Sequence, residues 1–513
     1  MKYRLHFLSV LTTLSVIAVF VFAFYGIRSR SMWLDEAYTV LVSNRPFSDV
    51  INEVKYDSAP PLYYLLLSFW VRIFGISEGA VRSLSGLFYI ANVFVMYRLG
   101  RQLSFHRYVG YVSAFLFLVS PLAIRHAQNS RMYTLLSLLV SLSLLFFFKI
   151  ISGDKRSKTL ITYILVNVAG SFTHYWFLFP LFGQGLAVTI LHFRRHFFRF
   201  VALITVSVIP FLVLWMPVVL GQQERCGTTW IQKPEFEVIW ATIVDFYGRE
   251  RIGPWVIVVF VALMFTTVQA PRTWSIKASF KSLTAQFSKL KNQVVSRNSL
   301  ILIIVIVCSF LVPFVVSHIV QPIFVMGRYT IAVLPVFALL LALLLSELAD
   351  QKLLFICFCF LLAGAQVSLI KSRNEQISYT DRNTAKYLVE HGRKGDVILY
   401  TGLSHAGIEY YLALFEKGSF FKRLSYPKEL MQHMGWRDIP KMLAEKDELQ
   451  KEALATAREL QSVMGKDAKI WLLYGTDVEV SEPIKVELNS VFRLKEVLDV
   501  AGPFHKNIFV FQT

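Results

Sequence analysis

Apolar runs of about 20 residues recur along this chain, separated by short charged islands, and that pattern leaves few folds open. About 20 helical residues, each rising ~1.5 Å, cross the ~30 Å hydrocarbon core of a bilayer. Charged residues make up 17% of the 513 positions, against about 25% in soluble domains. Spans are predicted near 7–27, 79–99, 107–124, 132–151, 158–174, 176–193, 199–219, 254–271, 299–318, 329–347 and 353–370. The first follows Met-Lys-Tyr-Arg and lacks a small-residue cleavage site, so it reads as a retained span rather than a signal peptide.

The net charge of +19 would suggest nucleic acid in a soluble chain. Here the cations gather in alternate loops, as the positive-inside rule requires: Arg98, Arg101 and Arg107; Lys149, Lys155, Arg156 and Lys158; Arg194, Arg195 and Arg199; and the stretch 272–298. No basic domain with stacking aromatics stands apart, so no nucleic-acid partner is expected. Placing these loops in the cytoplasm puts the N-terminus inside and residues 372–513 outside.

The expected architecture is a polytopic α-helical membrane protein of about 11 spans, with a small C-terminal α/β extracytoplasmic domain. Residues 1–371 form the multi-span part. Its first outer loop, 28–78, contains a short apolar helix at 60–75 that reads as interfacial or re-entrant. Residues 372–513 form the outer domain, where DRNTAKYLVEHG and the run 440–465 read as helices. DVILY, KIWLLYG, KEVLDV and NIFVFQT read as strands.

Ionisable groups at membrane depth are expensive and point to function. Asp35 and Glu36, Asp57, Glu78, Arg82, Arg125, His126, Arg131, His174 and Arg328 all fall on the outer side of this topology. The adjacent acids Asp35 and Glu36 offer a general base or, equally, a solvated pair. Glu78 and Arg82, spaced i, i+4, can pair on one helix face. Arg131 with Tyr133, and Arg328 with Tyr329, each open a span from outside and could clamp an anion or snorkel. His174 could line a cavity or join an aromatic belt; Asp57 and Tyr63 flank a double proline. Cys308, Cys357 and Cys359 lie in apolar runs and Cys226 in a polar loop, which makes neither a disulfide framework nor a thiolate metal site. No metal ligand set is expected.

Several stretches, in this order, resemble the glycosyltransferase C superfamily, in particular bacterial relatives of protein O-mannosyltransferases and lipid A aminoarabinose transferases. They are WLDEAYTV, DSAPPLYYLLLSFWVRIFG, SEGAVRSLSGLF, NSRMYTLL, THYWFLF, Trp230-Ile231 and GRYTIAVLPVFALLLALLL, followed by YTDRNTAKYLVEHGRKGDVILY. The resemblance implies a multi-pass enzyme of the cytoplasmic (inner) membrane. It would move a sugar from a polyprenyl-phosphate donor, its substrate, to a hydroxyl of a glycan, lipid or protein acceptor outside the cytoplasm, without a further cofactor. It implies Asp35, with Glu36 beside it, as the catalytic acid pair. Arg131 and Arg328, with Arg82, Tyr133, Tyr329, His174, Asp57, Tyr63 and Glu78, would bind the donor phosphate or substrate. Two departures stand out: Ala59 precedes the double proline where many relatives have His or Lys, and Thr380-Asp381-Arg382 lacks the family's Trp. A transporter of lipid-linked sugars is the alternative; the absence of internal repeats and of mid-membrane polar groups argues against it.

Overall fold

A computed structural model describes Ile17 and residues 19–104, 107–225, 231–248, 297–346, 381–428, 439–465, 467–500 and 502–512. The predicted spans at 254–271 and 353–370, most of the span at 7–27, the boundary at 371/372, and Cys226, Cys357 and Cys359 lie outside the described residues.

After a helical stretch at 19–24, the segment 28–78 folds into α1 (Leu34–Ser43), α2 (Phe47–Val54) and α3 (Leu62–Phe74). Helix α3 is the short apolar helix expected at 60–75. Two prolines set its start, and Gly75, at φ +76°, ends it in a conformation only glycine adopts readily. Its first amide donates to Phe172 O at 3.0 Å, so α3 is anchored to the loop after a later helix.

The apolar helices follow as α4 (Glu78–Leu103), α5 (Arg107–Leu118), α6 (Pro121–Ala127), α7 (Tyr133–Ile151), α8 (Ser157–Ser171) and α9 (Leu178–Leu214). Beyond them come α10 (Met216–Arg225), α11 (Glu237–Asp245), α12 (Arg297–Ile319) and α13 (Leu334–Ser346). Among the described residues four helices are long and apolar enough to cross a membrane, or five if the bent pair α5–α6 counts as one. Helices α4 and α5 approach backbone to backbone: a Cβ on Gly100 would lie 2.7 Å from Val109 O, and one on Gly110 2.8 Å from Tyr97 O, the use small residues serve between membrane helices.

Two boundaries differ from expectation. The predicted span 107–124 is broken at Ser120-Pro121, where the two pieces bend by 61°; proline cannot continue the ladder, and the Ser120 hydroxyl caps α6 by accepting the Ala123 amide at 3.4 Å. The loop expected at Arg194, Arg195 and Arg199 is helical, so α9 runs unbroken for 37 residues. Arginine has high helix propensity, so a basic segment need not interrupt a helix. The break expected at 174/176 is present, as residues 172–174 and a 3₁₀ turn at Tyr175–Phe177.

The C-terminal unit comprises α14 (Asp381–His391), β1 (Val397–Tyr400), α15 (Ser404–Leu414), β2 (Lys422–Ser425), α16 (Ile439–Ala444), α17 (Lys446–Val463), β3 (Lys469–Gly475), α18 (Val478–Val491), β4 (Arg493–Leu498) and β5 (His505–Gln512). The sheet order is β2-β1-β3-β5-β4. β1 pairs in parallel with β2 and β3, and β5 antiparallel with β3 and β4. This unit docks on the segment 28–78. The Met32 amide donates to Tyr411 Oη at 2.8 Å, and Tyr410 Oη to Ile76 O at 2.7 Å. The rings of Trp33 and Phe504 stand 5.4 Å apart.

Candidate active site

The docked surfaces border an open cavity of about 490 Å³. Its wall draws on the loop before α1 (Arg30 to Trp33), on α1 itself (Asp35, Glu36), and on α6 and the turn after it (Arg125, His126, Asn129, Arg131). Tyr133, Asp245, the segment Met326–Arg328 and Pro503 complete it. Pro503 comes from the β4–β5 connection, so the C-terminal unit supplies part of the wall.

Adjacent acids on a helix point about 100° apart, and here that separates their roles. The Asp35 carboxylate meets Arg328 Nη1 at 2.9 Å, and both side chains are only partly buried. Glu36 points inward and is fully enclosed. Its two oxygens accept from Arg82 Nε and Nη2, each at 2.8 Å. The Ser130 amide donates to it at 2.9 Å and the Trp33 amide at 3.2 Å. Burial, the largest influence, pushes this carboxyl up; the Arg82 charge and hydrogen bonds, with the Ser130 amide, overcome it and hold it below its ordinary range. A carboxylate with every lone pair engaged cannot take a proton from substrate, so the expectation that Glu36 shares in catalysis is corrected: it fastens α1 to α4. Arg82 is corrected with it. Its remaining donors reach the carbonyls of Ile27, Arg30 and Ser31 at 2.9–3.0 Å, which leaves none for a phosphate.

Arg131 is different. Its Nη1 donates to Thr39 Oγ1 at 2.7 Å, Tyr64 Oη at 3.2 Å and Asp35 O at 3.3 Å. All three partners are neutral, and its buried Nε has no hydrogen-bond partner. Among the described residues no carboxylate pairs with it.

The remaining expected residues divide. Tyr133 lines the cavity, with the His126 ring centred 4.5 Å from its own. Tyr329 and His174 lie behind it, their rings 4.6 Å apart, and His174 Nδ1 accepts the Trp176 amide at 3.1 Å. Asp57 is buried away from the wall and accepts from Tyr64 Oη. Tyr63 turns aside to Ser85 Oγ at 2.8 Å, so Tyr64, not Tyr63, links Asp57 to Arg131. Glu78 does not pair with Arg82 as the i, i+4 spacing suggested. It accepts from Arg382 Nε at 3.1 Å and Nη2 at 2.5 Å, and from Tyr411 Oη, and so joins the C-terminal unit to α4. Arg30 and Asp245 line the cavity and went unread in the sequence. Arg30 had no neighbour to mark it out among 53 Lys and Arg, and Asp245 lies in a stretch with no distinctive pattern. Among the described residues no group of three or more His, Cys, Asp or Glu comes together to hold a metal ion.

Residues 58–220 match the dolichyl-phosphate-mannose-protein mannosyltransferase family. No curated protein matches the chain by sequence. Among solved structures, the chain is similar to ArnT from Cupriavidus metallidurans bound to undecaprenyl phosphate, at 13% identity and a TM-score of 0.52, over 97% of each chain. It is similar to the mycobacterial arabinofuranosyltransferase AftD at 13% identity and a TM-score of 0.51, covering 98% of this chain and 40% of that one. The Archaeoglobus fulgidus oligosaccharyltransferase tethered to an acceptor peptide follows at 11% identity and a TM-score of 0.50, over 96% and 73%. By fold, the chain is similar to these three solved structures over nearly its whole length.

Proposed function

We propose that this protein is a membrane glycosyltransferase that moves a sugar from a polyprenyl-phosphate donor to an acceptor hydroxyl on the outer side of the cytoplasmic membrane. One observation carries the reading: Asp35 and Arg131, a partly exposed carboxylate and a buried guanidinium with only neutral partners, line the same cavity.

The chemistry follows from those two groups. Breaking a sugar–phosphate bond needs little proton donation but does need the negative charge on the departing phosphate to be met. Arg131 is preorganised for it, and Arg328 stands across Asp35. A guanidinium fork matches phosphate oxygens two at a time. The acceptor hydroxyl holds its proton tightly and attacks faster when a base removes that proton in the transition state. Asp35 is that base. Its Oδ2 is engaged by Arg328, while its Oδ1 makes no hydrogen bond among the described residues. Attack from the Asp35 side as phosphate departs toward Arg131 inverts the anomeric carbon. Tyr133 lines the same wall. The lipid tail leaves the cavity between apolar helices, with α3 bordering its path.

The test is transfer of radiolabel from a panel of polyprenyl-phosphate monosaccharides to a membrane extract, using purified protein in lipid. Asp35→Asn should lower the rate roughly 10²–10⁴-fold with donor binding preserved. Full activity in a folded Asp35→Asn protein would sink the base assignment. Failure to consume any donor would sink the transferase itself.

A further inference from the structure

Arg131 is held from one end of its guanidinium. The hydrogen bonds to Thr39 Oγ1, Tyr64 Oη and Asp35 O all leave from Nη1. Two of these three acceptors are hydroxyls, and a hydroxyl can turn its proton towards any neighbour that accepts it. One that pointed its proton at the guanidinium would repel the cation instead of holding it. The grip on Arg131 therefore depends on what else takes those two protons.

Both protons are committed elsewhere. Thr39 Oγ1 donates to Asp35 O, one turn back on α1, at 2.6 Å. Tyr64 Oη donates to Asp57 Oδ2. Each hydroxyl has a single proton, so only lone pairs are left to face Arg131. For Thr39 the acceptor is backbone; for Tyr64 it is a side chain, which substitution can remove. The neighbouring Tyr63 shows the contrast: it meets Ser85 Oγ, where either group can donate, so nothing fixes its direction. Tyr64 and Asp57 are both buried, and neither lines the cavity. Their backbones are anchored separately. The Asp57 amide donates to Val54 O at 3.1 Å, at the end of α2, and Tyr64 lies in the first turn of α3, whose opening amide reaches Phe172 O.

We propose that Asp57 is a positioning residue for the transfer reaction: by taking the Tyr64 proton it turns the lone pairs of that hydroxyl to Arg131 and so holds the guanidinium ready for the departing phosphate. This rests on the functional reading above and deepens it, giving a role to two residues that do not touch substrate. Asp57 acts through a neutral phenol rather than pairing with Arg131, so the guanidinium stays available to the leaving group. Thr39 and the Asp35 carbonyl tie the same guanidinium to the turn of α1 that carries the base, which fixes the spacing between base and clamp.

The experiment measures binding of undecaprenyl phosphate to the full chain in neutral-lipid nanodiscs, because this lipid carries the charge that the leaving group acquires. Tyr64→Phe keeps the ring and removes the hydroxyl, and should weaken binding about tenfold. Asp57→Leu should do the same, while Asp57→Asn, which keeps an acceptor oxygen, should restore most of the loss. In an Arg131→Gln background Tyr64→Phe should change affinity by less than about twofold, since the two residues act as one unit. A packing defect at Tyr64 would persist in that background. Should Asp57→Leu not fold, Tyr64→Phe with and without Arg131→Gln decides alone. Tyr64→Phe protein that binds as wild type does, or whose loss persists in full beside Arg131→Gln, overturns the positioning role. Wild-type protein that does not bind the lipid defeats the functional reading, and the positioning role falls with it; the wild-type arm thus separates the two failures.

Discussion

Glu36 in the segment 28–78 and Asp381 in the C-terminal unit are both almost fully enclosed carboxyls, yet the protein treats them oppositely. Glu36 faces a guanidinium and two amides and is held below its ordinary range. Asp381 faces His505, whose Nδ1 is 3.9 Å from its Oδ1. It backs onto Gly407 and Gly502, where an added Cβ would collide with its oxygens. Burial pushes Asp381 up to about 7, moderated only by a hydrogen bond from Ser404. Burial likewise lowers His505 to about 4, opposed by the backbone at Val500. Burial alone favours the neutral form of any group; a well-aligned cation reverses that. Glu36 is therefore held in its charged form, while burial favours the neutral forms of Asp381 and His505.

The largest test breaks Glu36's protection. Arg82→Met leaves a buried carboxylate without its cation and should cost about 3–5 kcal/mol, read as thermal unfolding of the full chain in detergent. The pH response should change sign as well. In wild type the lowered pKa of Glu36 contributes stability present above its ordinary value and lost as pH falls below it. In Arg82→Met the carboxyl behaves like Asp381, so acidification narrows the gap to wild type. Joint replacement of Glu36 and Arg82 by Leu and Met should recover most of the loss. An Arg82→Met protein as stable as wild type would show that the pair holds nothing together.

The second test separates the coupled titrations of the C-terminal unit. Asp381 takes up a proton on folding between about 3.8 and 7, so its contribution falls as pH rises through that window. His505 gives one up between about 4 and 6.5, so its contribution rises. In wild type the two slopes oppose each other. His505→Asn should expose the falling slope, and Asp381→Asn the rising one. Each should approach about 1.4 kcal/mol per pH unit relative to wild type, measured as the unfolding midpoint against pH. Parallel profiles for the two variants would remove burial as the common cause.

These contrasts show which parts of the molecule the sequence exposes. The short helix at 62–74, the break at 172–175 and strands β1, β3, β4 and β5 are legible because each is a local pattern of apolar length, proline or alternation. The four residues of β2, KRLS, carry no such pattern; pairing with β1 makes them a strand. The neighbourhood of Asp35 is legible because charge beside a span is rare. Partners are not: Glu36 and Arg82 are 46 residues apart, while Glu78 and Arg82, one turn apart, bind different elements. Tyr63 and Tyr64 are chemically identical in the sequence, and only the rotation of α3 against α1 sends one to Ser85 and the other to Asp57 and Arg131.

A smaller effect sharpens the comparison at the join between the two regions. Glu78, like Glu36, faces a guanidinium, but it is that of Arg382, from the C-terminal unit, and that side chain is 31% exposed. Solvent screens such a pair, so Arg382→Gln should cost only about 1 kcal/mol of global stability. Its effect should be local. Arg382 also donates to Arg28 O at 3.1 Å, and Met32, which holds Tyr411, lies just before Asp35. Loosening this clasp should speed amide exchange across residues 28–33 and lower transfer activity several-fold, with exchange in β1 and β3 unchanged. Equal acceleration in the sheet would mean that Arg382 stabilises the C-terminal unit itself. No change in either region would mean that the aromatic contact between Trp33 and Phe504, not the ion pair, seats that unit over the cavity.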